Sequence, residues 1–154
     1  MVLSLLLEHI FISSTAVILS SIIGIFAGIY ISSNGKWVKT AFLISNILIT
    51  IPSVALFGIL ISLLSPINLG IGKFPAIVAL VLYGQLPIMR NTYTAMTTID
   101  RSVIDSAVGM GMTNMQILFK VKFPLSLPMI LSGIRITAVM TIGITTIAAY
   151  IGAG

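Results

Sequence analysis

Four long apolar runs alternate with short polar connections along this chain. Residues 10–31 carry no charge and are relieved by Ser, Thr and Gly. A second run, 40–65, contains Asn46 and Pro52. A third, 74–96, is interrupted by Gln85, Pro87 and Arg90, and a fourth, 124–150, contains Arg135. Each reaches the ~20 residues that a helix needs to cross a bilayer. In lipid every backbone polar group must pair within a helix or a closed barrel, and runs this long without alternation cannot build a barrel. The pattern therefore predicts an all-α integral membrane chain with four transmembrane helices in one domain.

One sustained polar island, Ile99 to Pro124, breaks the pattern. It holds Asp100, Arg101, Asp105, Lys120 and Lys122, five of the eleven formally charged residues. Ile99, Val103, Ala107 and Met110 recur at helical spacing, which predicts a short helix that Asp100 caps. Gly111 ends it, as the residue that most readily takes φ > 0. Thr113-Asn114-Met115-Gln116 then has the form of a capping box, with Met112 and Ile117 at the positions of a hydrophobic staple. A second short helix is expected from there, with Lys120 and Lys122 at its C-terminus and Phe123-Pro124 as its stop. The island reads as a helix–glycine–helix knuckle, 99–123, between the third and fourth spans.

Composition narrows the class without changing the picture. Hydrophobic residues make up 58% and charged residues 7%, against roughly a quarter charged in soluble domains. Such a chain cannot cover a soluble surface. The absence of cysteine excludes a disulfide framework and a thiolate metal site. The net charge of +5 comes from basic residues scattered at span ends, which points to membrane orientation and not to nucleic acid. Three acids and one His are too few for a membrane-embedded enzyme built on paired carboxylates or His clusters. No basic leader precedes the first apolar run, so no cleavable signal is expected.

The connections set the expected orientation. Those after the first and third runs hold Lys36, Lys39, Arg101, Lys120 and Lys122, whereas the one after the second holds only Lys73. The basic side is cytoplasmic by the positive-inside rule, which puts the N-terminus outside and the knuckle in the cytoplasm.

The knuckle resembles the coupling loop of ABC-importer membrane subunits. That family pattern is an acidic residue, two small residues, three of any kind, Gly, nine of any kind, then aliphatic-x-Leu-Pro. Asp105-Ser106-Ala107, Gly111 and Val121-Lys122-Phe123-Pro124 stand at those spacings, with Asp for Glu, Ser for Ala, Val for Ile and Phe for Leu. Residues Leu86 to Thr94, Gly133-Ile134-Arg135 and Ile151 to Gly154 are similar to permeases of the glycine betaine/carnitine/choline type. The likeness covers most of the chain and is stronger after about Pro75.

The resemblance implies a subunit that forms the translocation pathway of an osmoprotectant importer in a bacterial plasma membrane. It implies a cytoplasmic ABC ATPase docked on the knuckle, a second permease copy or homologue, and an extracytoplasmic solute-binding protein. The expected coupling residues are Asp105, Ser106, Ala107, Gly111, Thr113, Gln116, Val121, Phe123 and Pro124. Permeases of this type continue with at least one more span, so the fold is expected to lack its last helix. ATP belongs to the partner, because the chain has no G-x-x-x-x-G-K-[ST] and no expected cofactor or metal site of its own. An importer for another small solute, such as methionine, and a non-transporting scaffold subunit remain alternatives.

Arg90, Asn91, Tyr93 and Arg135 are the candidates for the pathway or the bundle interior. Arg90 either snorkels to the interface or lines the interior beside Asn91 and Tyr93. Arg135 is expected to face the interior, because an unpaired charge at mid-depth costs several kcal/mol.

The orientation is testable directly, since any introduced cysteine is unique. N114C should resist an impermeant thiol reagent applied to intact cells, and K73C should react. Labelling of N114C from outside would invert the topology.

Overall fold

The computed structural model describes residues 2–153, and the described residues are almost entirely helical. Helix α1 spans Val2–Ser33, and a single 3-10 turn, Gly35–Trp37, leads into α2, Val38–Thr50. Helix α3, Ser53–Leu64, follows after a sharp break. Helix α4 is Lys73–Thr97, α5 is Arg101–Gly109, α6 is Asn114–Ile117 and α7 is Phe123–Ala148. A π turn, Leu118–Lys122, makes α6 and α7 one unbroken run, Asn114–Ile151.

By length and composition, two helices qualify outright as membrane spans, Val2–Ser33 and Asn114–Ile151, with a third if the α2–α3 pair is one broken span. The expected single helix over 40–65 is not formed. The chain bends by 101° between its two halves. Pro52 disfavours a helical residue before it and offers no N–H. Ile51 is accordingly extended, at ψ 126°. Its carbonyl accepts a hydrogen bond from the Tyr83 hydroxyl at 2.6 Å, which satisfies a group that the helix has released. At 1.5 Å per residue, neither α2 nor α3 reaches the ~30 Å of a hydrocarbon core. Helix α4 is long enough, at 25 residues, but Gln85, Arg90, Asn91 and several threonines make it more polar than the two outright spans.

The fourth run also departs from expectation. Phe123-Pro124 does not stop the knuckle's second helix, and α7 does not begin the span. The π turn explains why. Phe123 N–H donates to the Leu118 carbonyl, five residues back, so the ladder is already widened where Pro124 removes a donor. Lys120 and Lys122 consequently lie within a continuous helix and not at a C-terminus, so the macrodipole does not account for them.

Helix α4 is the centre. Its contact with α1 is the most extensive in the chain and its contact with α7 the next. The α1–α4 pair is parallel, Gly24 lying on Ile88 and Gly28 on Thr92. The α4–α7 pair is antiparallel, with Gly133 on Pro87 and Asn91 and Thr137 at Gly84. Small residues on α1, among them Ser13, Ala16, Ser20, Gly24 and Gly28, form its buried stripe, as expected where helices must associate without a hydrophobic drive. A Cβ at Gly28 would lie 2.5 Å from the Thr92 Cβ and 2.9 Å from the Met89 carbonyl oxygen, so only glycine fits. Two hydroxyls from different helices reach α4 beside Gly84, Ser20 of α1 to the Val81 carbonyl and Thr137 of α7 to the Gly84 carbonyl, each at 3.4 Å. Both acceptors lie in the turns just before Pro87. The apolar core sits towards the end that holds the N-terminus, where Ile12, Phe57, Leu60, Leu80, Tyr83 and Ala148 are buried together.

The helix directions distinguish two ends. Lys73 Nζ pairs with Glu8 Oε1 at 3.5 Å, and Gly72 N–H donates to the Ile151 carbonyl. The starts of α1 and α4 and the end of α7 therefore share one end. Ser33, the last residue of α1, lines a cleft with the knuckle at the other.

Gly28→Leu should destabilise the chain by about 1–3 kcal/mol through overpacking, read as a lower unfolding midpoint in detergent. Gly143→Ala, where nothing lies within 4 Å, is the matched control and should leave it unchanged or raised.

Candidate functional site

The knuckle is two terminal motifs joined back to back. Asp100 caps α5, its Oδ1 accepting from the Ser102 N–H at 2.8 Å. That N–H, and secondarily the Ser102 side chain, hold the Asp100 carboxyl below its ordinary pKa. The contribution of this cap is present above the ordinary carboxylate value and is lost as pH falls through the lowered one. At the far end of α5, Met112 N–H donates to the Ala107 carbonyl at 3.2 Å and Gly111 N–H to the Val108 carbonyl at 2.9 Å. Together with Gly111 at φ 75°, this is a Schellman termination. The spacing from Ala107 to Gly111 is thus set by backbone geometry. Ala107 supplies the carbonyl of the last full turn and is 1% exposed, so both its size and its place are constrained.

Thr113 starts the next helix two residues later. Its Oγ1 accepts from the Gln116 N–H at 3.4 Å, and Gln116 Oε1 accepts from the Thr113 N–H at 2.8 Å. Both halves of a capping box are in place. Between Gly109 and Asn114 the end groups are satisfied locally, so the connection is a built turn and not a slack tether.

The other knuckle residues fall into two groups. Asp105 is exposed and lies 3.9 Å from Arg101 Nε, one turn away, a pairing worth little in solvent. Ser106 is exposed and its hydroxyl turns back to the Ser102 carbonyl at 2.8 Å. Val121 and Phe123 are half-buried and Pro124 is exposed. The face expected from Ile99, Val103, Ala107 and Met110 does not bury as a unit, since Val103 and Met110 are exposed at 39% and 74%. With Val108, Met115 and Phe119 they leave the knuckle studded with apolar side chains. A cleft of about 350 Å³ between α5, α6 and the end of α1 is lined by Ile104, Val108, Met115, Ile117 and Lys122, among others. An exposed apolar face of this kind, rimmed by charge, marks a surface that a partner protein or the membrane covers.

The four polar span residues are not gathered in one place. Asn91 Nδ2 donates to the Pro87 carbonyl of its own helix at 2.8 Å. Arg90 turns towards α2, where Nη2 is 3.4 Å from Asn46 Oδ1 and the guanidinium lies 5.4 Å from the Phe42 ring centroid. Tyr93 meets Phe42 edge-on at 5.4 Å. Arg135 is exposed on α7, away from the face that this helix packs on its neighbours within the chain. The reason is helical phase. Ile130, Gly133, Thr137 and Thr141 are buried, and a residue two beyond Gly133 points away from that stripe. Phe42, Asn46 and the Tyr83–Ile51 contact carry no sequence signal, because their partners lie 32 or more residues away.

Comparison with known proteins gives a consistent result. Residues 20–154 match the family described as binding-protein-dependent transport system inner membrane component. The osmoprotectant import permease protein OsmW of Salmonella typhimurium is 45% identical over 98% of this chain and 70% of its own length. The carnitine transport permease protein OpuCB of Listeria monocytogenes is 40% identical, covering 96% of this chain and 65% of that protein. The glycine betaine/carnitine/choline permease OpuCB of Bacillus subtilis is 39% identical over the same shares, 96% and 65%. The chain therefore spans about two thirds of the length of these relatives. A chain of the inward-facing MetNI methionine ABC transporter superposes with a TM-score of 0.86 at 26% identity, over 99% of this chain and 75% of that one.

Gly111→Val forces a β-branched residue to a left-handed conformation, at about 1–2 kcal/mol. Hydrogen exchange over 101–117 should quicken at least several-fold in this variant. It should be unchanged in Gly109→Ala, where no positive φ is required and nothing lies within 4 Å.

Proposed function

Because this chain belongs to the family of binding-protein-dependent transport system inner membrane components, we propose that it is the membrane subunit of an ATP-driven importer for small quaternary-ammonium osmoprotectants. The observation that carries the coupling role is the knuckle, where a Schellman turn and a capping box meet within a few residues. Such a unit transmits force because its backbone groups are satisfied locally and its apolar residues face outwards. A cytoplasmic ATPase grips it. Since the second helix runs without a break into α7, displacement of the knuckle is delivered along a rigid rod to the far side of the bundle.

In this reading the chain crosses the membrane four times, with the broken α2–α3 pair as one crossing and α4 as another. The N-terminus lies outside, and Lys36, Lys39, Arg101, Lys120 and Lys122 lie on the cytoplasmic side. A second permease copy or homologue completes the pathway, and an extracytoplasmic binding protein delivers solute. The chain performs no catalysis and binds no cofactor; ATP is the partner's. Relatives that transport osmoprotectants, carnitine or choline share 35–45% of residues with it. That level supports an osmoprotectant over methionine, whose transporter matches at 26–27%.

The test is uptake of labelled glycine betaine, carnitine and choline by cells that lack other routes for them, with the chain co-expressed with its ATPase and binding protein. ATP-dependent accumulation of at least one is expected. Gly111→Val should cut uptake about tenfold or more at unchanged membrane levels. Undiminished uptake by that variant would reduce the knuckle to a connection.

A further inference from the structure

Among the described residues, one arginine on α4, Arg90, has no carboxylate to answer its charge. The acid–base pairs among the described residues are Glu8–Lys73 and Arg101–Asp105, and neither includes Arg90. Of the five N–H donors in its guanidinium fork, one group is engaged, on Asn46 Oδ1 at 3.4 Å. The residue is exposed on α4, seven positions before the helix ends at Thr97, so it lies about 10 Å from the knuckle end.

What surrounds it is aromatic. The guanidinium rests 5.4 Å from the Phe42 centroid, and Tyr93 stands edge-on to the same ring at an interplanar angle of 85°. An aromatic face attracts a cation through its quadrupole, and quaternary ammonium groups use that attraction because they cannot hydrogen-bond. A guanidinium fork matches a carboxylate in a planar, bidentate way that an ammonium does not. Two elements, α2 and α4, therefore bring a cation-binding face and a carboxylate-binding fork together.

We propose that Arg90, Phe42 and Tyr93 form a recognition site for a zwitterionic quaternary ammonium solute. Arg90 swings off the Phe42 ring to hold the substrate carboxylate, and the substrate's ammonium group takes its place on the ring. The proposal rests on the osmoprotectant reading above and deepens it. Arg90 becomes the residue that separates substrates by charge type. Glycine betaine and carnitine carry both charges, whereas choline carries a hydroxyl in place of the carboxylate. In the free chain Arg90 fills the site itself, so the ring is not left bare to lipid or water.

The experiment compares uptake of the three solutes at saturating concentration by the complete transporter, with the wild-type chain, R90Q and R90K. For R90Q, maximal uptake of glycine betaine and carnitine should fall roughly tenfold or more, the loss of a charge-assisted pair, while choline uptake stays within about twofold. R90K, which keeps the charge without the fork, should fall between. An equal loss for all three solutes would overturn the proposal and make Arg90 a strut between α2 and α4. No loss for any would overturn it as well. If R90Q does not reach the membrane, the same comparison is decided by R90K. Wild-type chain that takes up none of the three would instead defeat the osmoprotectant reading, and this inference with it.

Discussion

Close approach of α1 and α7 to α4 is the constraint on which the rest of the chain depends. Within a bilayer, apolar side chains gain little by meeting one another, because lipid is as apolar as they are. Association has to come from contact area and from hydrogen bonds between helices. Both need backbones to come near, and Gly28 against Thr92 shows the distance reached. The same nearness lets Ser20 of α1 and Thr137 of α7 both donate to α4 carbonyls beside Gly84. Those hydroxyls fall just before Pro87, where the α4 ladder loses a donor. The helix that is weakest by itself is thereby the one most supported by its neighbours.

A related economy governs the broken helix. Pro52 makes a straight α2–α3 span unavailable and leaves the Ile51 carbonyl without a helical donor. Tyr83 supplies one from α4 at 2.6 Å. The break is therefore tied to the central helix, and so is α2 through Arg90, Phe42 and Tyr93. At the knuckle the solution differs. The end groups there are satisfied by Asp100, Gly111, Thr113 and Gln116, all within 100–117. A turn whose end groups are satisfied locally can present apolar side chains outwards to a partner.

The knuckle was legible in the sequence for that reason. A C-terminal glycine, an N-cap threonine and a glutamine three positions on act over a few residues, and local chemistry is what sequence spacing encodes. The runs over 10–31 and 124–150 were legible as helices because sustained apolarity leaves a chain no other way to satisfy its backbone in lipid. Their limits were less so. The π turn at Leu118–Lys122 carries α6 into α7 past Pro124, and a proline read alone signals a stop. The bend at Pro52 was visible as a proline but not as a turn of 101°, since a proline kink and a break differ only in how Ile51 is held.

Sequence alone therefore determined the helical class, the polar knuckle and its terminal motifs, and the grouping of basic residues on alternate connections. These follow from periodicity, local hydrogen bonding and charge, all of which act between near neighbours in the chain. Tertiary structure alone decided that α4 is central and that Arg135 lies off the face by which α7 packs within the chain. It also decided that Arg90 finds Phe42 and Asn46, and that Tyr83 caps Ile51. Those outcomes depend on which helix faces meet and at what phase. Pairings between groups 32 and 44 residues apart are settled only when the helices have packed, because until then no local force relates them.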